Sequence, residues 1–446
     1  MGGFGRRGKT IGNIRNFLAV TEKYTSQNTE PGDYYKAVWC RDAAYILKDQ
    51  FLSGHHGAVL YQIKHIWNKQ IGNDSNKLIY GRGSPKTNFT PINAGTDITK
   101  NFYGALPTTI YENFSEVYAL NPDIDSTALM IYVSSWILTN TIKESIKAEK
   151  DSADINKMIE YLIPFFFRGI DYLCSRDEDR DGLLEQDYNE DWMDTVLREG
   201  KVVYSQACWL LALTSFANLL YTLNKDNEAQ RLQSIASQLV DSIEHKMWSE
   251  RTTCYLDLKS ENTIGDDSTN ILYQDIIFYI YAMTEQLPHI VPGNLNKISP
   301  RNCYPDQEKN VILDNSAKVE RIRKRMILAL GSLRNRVWIK DFPLVTEKPL
   351  QKTGPWILQS SEYHNYTHWP WITAIELLTR FRFGQVDECN ILLSNLFNHN
   401  GRNKANHDNI FYEWLNPMTL TGGGAYPFRT GISAYRLASF EIMSKT

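Results

Sequence analysis

Apolar residues recur at three- and four-residue intervals along most of this 446-residue chain. That spacing constrains the fold more than any other feature, because it lines them up on one face of a helix. It runs through Tyr34–Leu52, His55–Ile71, Asp125–Lys147, Asp154–Cys174, Tyr204–Leu223 and Asp226–Trp248. It continues through Ser268–Glu285, Ala317–Leu330, Trp369–Phe381, Gln385–Phe397 and Thr430–Met443, and a short piece at Asn13–Glu22 brings the count to twelve. Pairs joined by short turns alternate with longer Gly-, Pro- and Asn-rich loops at Gly72–Ile124, Ser175–Val203, Leu287–Asp314, Lys340–His368 and Asn398–Arg429. Loops of this length are usually functional. Short hairpins are expected within them, and Thr252–Leu258 alternates like a strand. Twelve helices in antiparallel pairs close into a ring with one helix of each pair inside. The expected fold is therefore all-α, an (α/α)6 barrel with long rim loops. No composition break or low-complexity linker interrupts the chain, so residues 1–446 read as one domain, with 1–30 a peripheral N-terminal segment.

Charge and cysteine usage narrow the function classes. A net charge of −3 is too small to steer the chain to nucleic acid or a membrane surface. No stretch of about 20 apolar residues spans a bilayer. The basic N-terminus lacks the apolar run and cleavage site of a signal peptide. Six scattered cysteines have neither zinc-site nor redox spacing, so reduced thiols in a cytoplasmic protein are expected. The 11 Trp and 25 Tyr residues favour a carbohydrate partner, because aromatic rings stack on the apolar faces of sugars. The oligomeric state leaves no mark.

The densest chemistry lies at Glu190-Asp191-Trp192-Met193-Asp194. Close carboxylates raise each other's proton affinity, and an adjacent indole adds desolvation. Both effects keep an acid protonated at neutral pH, as a general acid requires. The same residues could simply cap a helix, with acids favouring its dipole. Just upstream, Asp177, Asp179, Asp181 and Gly182 imitate the start of a calcium loop, but position twelve is Tyr188 instead of Glu. An Asp-rich turn, not a metal site, is expected there. Glu413 lies between Tyr412 and Trp414, as either a buried structural acid or a chemical one. Gly422-Gly423-Gly424 lacks P-loop spacing and reads as a tight turn. Arg41-Asp42 beside Trp39 is either a helix-surface ion pair or a set of donors and acceptors for diols. His364 and His368 have no third ligand at fixed spacing, so no metal is expected, while Trp369 and Trp371 offer a stacking face or a core anchor. Asp125 or Ser126 is a good helix N-cap. Lys318–Met326 reads as a solvated helix face.

Trp192-Met193-Asp194 followed by Gly200–Leu213 resembles the six-hairpin glycosidases. That group includes glucoamylases, the amylo-1,6-glucosidase part of glycogen debranching enzymes, and sugar-glycerate hydrolases. In the debranching-like branch Trp-Met-Asp carries the catalytic acid, which implies Asp194 here. True glucoamylases place a glutamate directly after the tryptophan, where this chain has Met193. Glu413-Trp414-Leu415-Asn416-Pro417 resembles the family segment that carries the general base, which implies Glu413. By the same resemblance Trp39, Arg41 and Asp42 hold the terminal sugar. His364, Trp369 and Trp371 line its pocket with Trp192, and Asp125 borders it. The implied activity is inverting hydrolysis of terminal α-glucosidic bonds of an oligosaccharide or small glucoside. It needs no cofactor, and its carboxyl groups would stand roughly 6.5–9.5 Å apart. Glu190 or Asp191 in place of Asp194, and the sugar and linkage, stay open. An α/α-barrel sugar epimerase or isomerase and an inactive sugar-binding barrel are the alternatives.

Overall fold

The computed structural model describes residues 3–25, 28–72, 77–147, 153–259, 271–286, 316–350, 358–400 and 411–445. The expected loop Leu287–Asp314, the thiol Cys303 and the start of the Ser268 segment lie outside them.

Six helices form an inner ring: α2 (Cys40–Leu52), α5 (Ile124–Lys147), α7 (Val203–Thr222), α9 (Ile277–Gln286), α11 (Pro370–Arg382) and α13 (Arg429–Lys445). Each packs on the next, and α13 returns to α2 to close the circle. Outside them lie α1 (Gly3–Thr21), α3 (His56–Trp67), α6 (Ala153–Cys174), α8 (Asp226–Lys246), α10 (Ser316–Arg336) and α12 (Val386–Asn395). The short α4 (Thr96–Asn101) belongs to a rim loop. This is the (α/α)6 barrel.

Side-chain pattern decides which helix of a pair goes inside. α8 buries a stripe, Ala229, Leu232, Ala236, Leu239, Val240 and Ile243, and faces water elsewhere. α7 buries every side chain from Val203 to Ala217, so it can only be an inner wall. By length and composition α7 could cross a membrane, yet α5, α8 and α9 cover it. The basic face of α10 is paired: Lys318 with Asp241 at 2.6 Å and Arg325 with Glu244 at 3.0 Å.

Two local expectations change, and one holds over a shorter span. The segment Tyr34–Leu52 is not one helix, because α2 starts only at Cys40. Val38–Trp39 instead pairs antiparallel with Thr109–Ile110. That ladder continues through Phe114–Val117, Lys77–Tyr80 and Ile92–Asn93 in a five-stranded sheet on the rim. In the Thr252–Leu258 stretch, Cys254–Tyr255 pairs with Trp248–Ser249 as a hairpin. The N-terminal segment is more than peripheral: α1 packs on α13, buries Ile14 and Phe17, and supplies the sixth outer helix.

Because five consecutive pairs begin inside and α13 pairs with α1, the inner helices share one direction. Their N-termini gather on one rim, together with the loops that join each outer helix to the next inner one. Partial positive charge from those helix ends favours anionic side chains there.

Candidate active site

At the centre of that rim a pocket is walled by Tyr35, Trp39, Arg41, Asp42, Trp192, Asp194, Tyr363, Trp369, Trp371, Glu413, Phe428 and Thr430, among others. Asp194 comes from the loop between α6 and α7, and Glu413 from the loop before α13. The chain brings these two distant acids into one cavity.

Their surroundings differ. Both oxygens of Glu413 accept hydrogen bonds: the Tyr35 hydroxyl donates to Oε1 at 2.6 Å and the Ala425 N–H to Oε2 at 2.8 Å. The glycine triplet makes this possible. It runs beside Tyr412–Leu415, with Trp414 opposite Gly423. A Cβ at Gly422, Gly423 or Gly424 would collide with Tyr412, Trp414 or the Glu413 carboxyl respectively. Gly424 also takes φ +74°, which favours glycine. The run is a fitted turn, not a phosphate cradle.

Asp194 receives much less. Its Oδ1 is sealed from solvent and has no hydrogen-bond partner among the described residues, while the side chain as a whole keeps 14% exposure. Burial pushes its proton affinity up to about 7, against the pull of Arg41 and with help from the charges of Glu413, Asp191 and Asp42. Burial also lifts Glu413 to about 7, opposed by the bonds from Tyr35 and Ala425. The charge of Glu413 thus disfavours ionising Asp194 as well. Donors aimed at a carboxylate favour its charged form, and Glu413 accepts two of them while Asp194 Oδ1 accepts none among the described residues.

Arg41 is held from below by Asp125 at 3.0 Å. Asp125 is fully buried and lies under the floor, not in the wall. Asp42 accepts from the Thr430 hydroxyl at 2.6 Å. Trp192 donates its indole N–H to Asp275 at 2.8 Å and meets Trp371 edge-on at 4.9 Å. Trp369 stacks on His364 at 4.5 Å. His364 itself does not line the pocket; it stands behind Asp194. His368 points elsewhere, with Nδ1 2.8 Å from the Pro343 carbonyl, so the two histidines do not converge on one site.

The other acids of the cluster are saturated. Glu190 accepts from Asn121, Arg176 and the Asp187 N–H. Asp191 accepts from Gln186 and the Met193 N–H and pairs with Arg198 at 2.8 Å. Neither borders the pocket. In the Asp-rich turn Asp177, Asp179, Asp181 and Glu185 draw their oxygens together. Lys201 bridges the last three at 2.5–3.1 Å, and Lys246 reaches Asp181 at 2.7 Å. Ammonium groups thus supply the positive charge there. Tyr35, Tyr363, Phe428 and Thr430 are wall residues that the sequence reading did not single out. The only local hint was the aromatic doublet Tyr34-Tyr35 beside Trp39.

No protein-family model and no curated protein matches the chain. Solved structures do. A GH63 mannosylglycerate hydrolase from Thermus thermophilus, in complex with Tris, aligns with a TM-score of 0.59 at 13% identity, over 96% of this chain and 99% of that one. A glycosidase in complex with glucose aligns at 0.57 and 10% identity, over 98% of both chains. A bacterial glucoamylase complexed with acarbose aligns at 0.55 and 10% identity, over 92% of this chain and 49% of that chain. Likeness at this identity speaks for architecture alone: the chain carries the six-hairpin toroid that these glycosidases share.

Proposed function

We propose that the protein is an inverting glycoside hydrolase that cleaves terminal α-glucosidic bonds of an oligosaccharide or small glucoside. The observation that carries this reading is one pocket holding two acids of opposite character, a donor-poor Asp194 and a doubly hydrogen-bonded Glu413. One sugar ring enters the pocket. Arg41 and Asp42 engage its hydroxyls, and the tryptophans cover its apolar face. Asp194 gives its proton to the glycosidic oxygen as the bond from that oxygen to C1 breaks. Glu413 takes a proton from a water whose oxygen bonds to C1 from the opposite face. The water's second proton stays on the new hydroxyl. Solvent exchange then returns Asp194 to its acid form and Glu413 to its base form. Two carboxylates suffice for this, with no cofactor.

The sugars bound by the structural neighbours agree with this reading. An epimerase or isomerase would place a histidine against the sugar carbon, whereas among the described wall residues none is histidine. The test is a panel of α-linked glucosides and mannosides followed by proton NMR. Release of the β-anomer first is expected. Release of the α-anomer first overturns inversion, and a changed epimer without cleavage overturns hydrolysis.

A further inference from the structure

His364 stands one layer behind the pocket wall. Its Nδ1 lies 3.0 Å from the Thr195 hydroxyl and 3.5 Å from Asp194 Oδ1. Its Nε2 is buried with no partner among the described residues. The ring is caged by Trp369 stacked at 4.5 Å, Tyr363 at 4.2 Å and the edge of Trp192 at 5.1 Å. So much packing around a histidine that cannot touch a ligand asks what its nitrogens do.

The tautomer follows from the orphaned atom. A proton on Nε2 would be a buried donor with nothing to bond, which is rarer and costlier than an unfilled acceptor. The proton therefore sits on Nδ1, where the Thr195 hydroxyl at 3.0 Å is the nearer acceptor and Asp194 Oδ1 stands at 3.5 Å. A second proton is disfavoured, because burial and the nearby guanidiniums of Arg41 and Arg198 hold the imidazole well below its ordinary value. Asp194 has complementary needs. Its Oδ1 is the sealed oxygen that faces this ring, and the exposure left to the side chain lies on the pocket side.

We propose that His364 is the positioning residue of the acid: as a neutral imidazole protonated on Nδ1, it takes Asp194 Oδ1 as an acceptor and leaves the transferable proton on Oδ2, facing the pocket. This rests on the hydrolase reading above. At 3.5 Å the contact is long for a hydrogen bond. Such contacts tighten when substrate fills a site. A charged imidazole in this position would draw the proton off Asp194 and disable the acid. The neutral state is therefore part of the device, and Arg41 and Arg198 help enforce it.

The test uses substrates that differ in their need for an acid. α-Glucosyl fluoride loses fluoride with little protonation, whereas maltose requires a proton on its leaving oxygen; α-mannosyl fluoride and an α-linked mannobiose serve as the second pair. His364→Leu removes the donor, while His364→Asn restores an amide N–H near the place of Nδ1. H364L is expected to lose about a hundredfold in kcat/KM on the disaccharide and less than about threefold on the fluoride, and H364N recovers most of the loss. Equal losses on both substrates, no loss on either, or an H364N as impaired as H364L overturns the proposal. Nitrogen-15 NMR of the histidine-labelled wild type gives a readout that does not depend on any variant's activity. A neutral ring protonated on Nδ1 is expected, its signal assigned by its absence from H364N, and an imidazolium or an Nε2–H ring overturns the proposal. Wild-type enzyme that turns over none of the four substrates, with no product in the glycoside panel, brings down the hydrolase reading itself. Wild-type turnover with unaltered H364L brings down this inference alone.

Discussion

Glu285 and Glu413 are both largely enclosed glutamates, one in an inner helix and one on the rim loop before α13, and they meet opposite fates. Glu285 sits deep in α9, between Lys48 at 3.2 Å and Arg382 at 2.5 Å, and Arg382 also holds Glu441 at 2.6 Å. These groups lie eight to twelve residues into their helices, roughly 12–18 Å from the N-terminal rim. Tyr132 donates to Glu285 at 3.1 Å, and the ammonium of Lys48 rests over Trp136. Together they plug the barrel with matched charge, and both glutamates are held below the usual carboxylate range. At the rim, Asp194 and Glu413 are just as enclosed but short of cations, and both are pushed up to about 7. Burial raises a carboxyl in either place. Counter-ions decide the outcome: Lys48 and Arg382 pair directly with Glu285, whereas Arg41, the cation acting on Asp194, is spent on Asp125.

The largest break in this contrast should come at the rim. Asp194→Asn removes the proton donor and Glu413→Gln removes the base. Each is expected to lower kcat/KM on the hydrolysed glycoside by about two to four orders of magnitude. Steady-state rates check this, with thermal unfolding to show that each variant is folded. Wild-type turnover in either variant removes that residue from the mechanism.

At the plug the same kind of change should act on stability. Arg382→Met leaves Glu285 and Glu441 without their shared guanidinium. Removing one member of a buried ion pair costs about 3–5 kcal/mol. A lower urea midpoint is expected, with the rate per folded molecule little changed. A midpoint equal to that of the wild type would mean that the far end is held by packing alone.

How far the sequence showed all this depends on the range of the force involved. The helix pairs were legible because periodicity is local and a buried stripe must repeat along its own segment. Tyr34–Leu52 was overextended for the same reason. Apolar spacing runs on through Val38 and Trp39, but the partner that makes them a strand is Thr109–Ile110, some seventy residues away in the chain. Asp194 and Glu413 were singled out from aromatic neighbours and family resemblance. What separates Asp194 from Glu190 and Asp191 is a set of side-chain bonds made by the folded loop. Arg176, Asn121, Gln186 and Arg198 saturate the latter two, and no spacing rule announces those bonds. Tyr35 was missed because its role exists only through a bond to a glutamate at the other end of the chain.

The smallest effect is also the one that joins the two ends. Glu285 and Glu441 titrate lower in the folded protein than in the unfolded chain, where a glutamate has a pKa near ~4.3. Their stabilisation is present above that value and fades as pH falls through their folded values. Asp194 and Glu413 titrate higher when folded, at about 7. Their contribution is complete below the unfolded values of ~3.9 and ~4.3 and is lost as pH rises through about 7. Wild-type stability should therefore sag from pH 5 to pH 8 because of the rim, while the plug stays firm. An amide in place of Asp194 has no charge to desolvate and frees Glu413 from a like neighbour. D194N should then be more stable than the wild type at pH 8, by on the order of 2 kcal/mol, with the gap closing toward pH 4. Unfolding temperatures across that range check it. A gain at pH 8 would mean that the rim trades stability for a poised proton. A gap that does not change with pH would mean that Asp194 is already ionised at neutrality, and the acid would then have to be sought elsewhere in the wall.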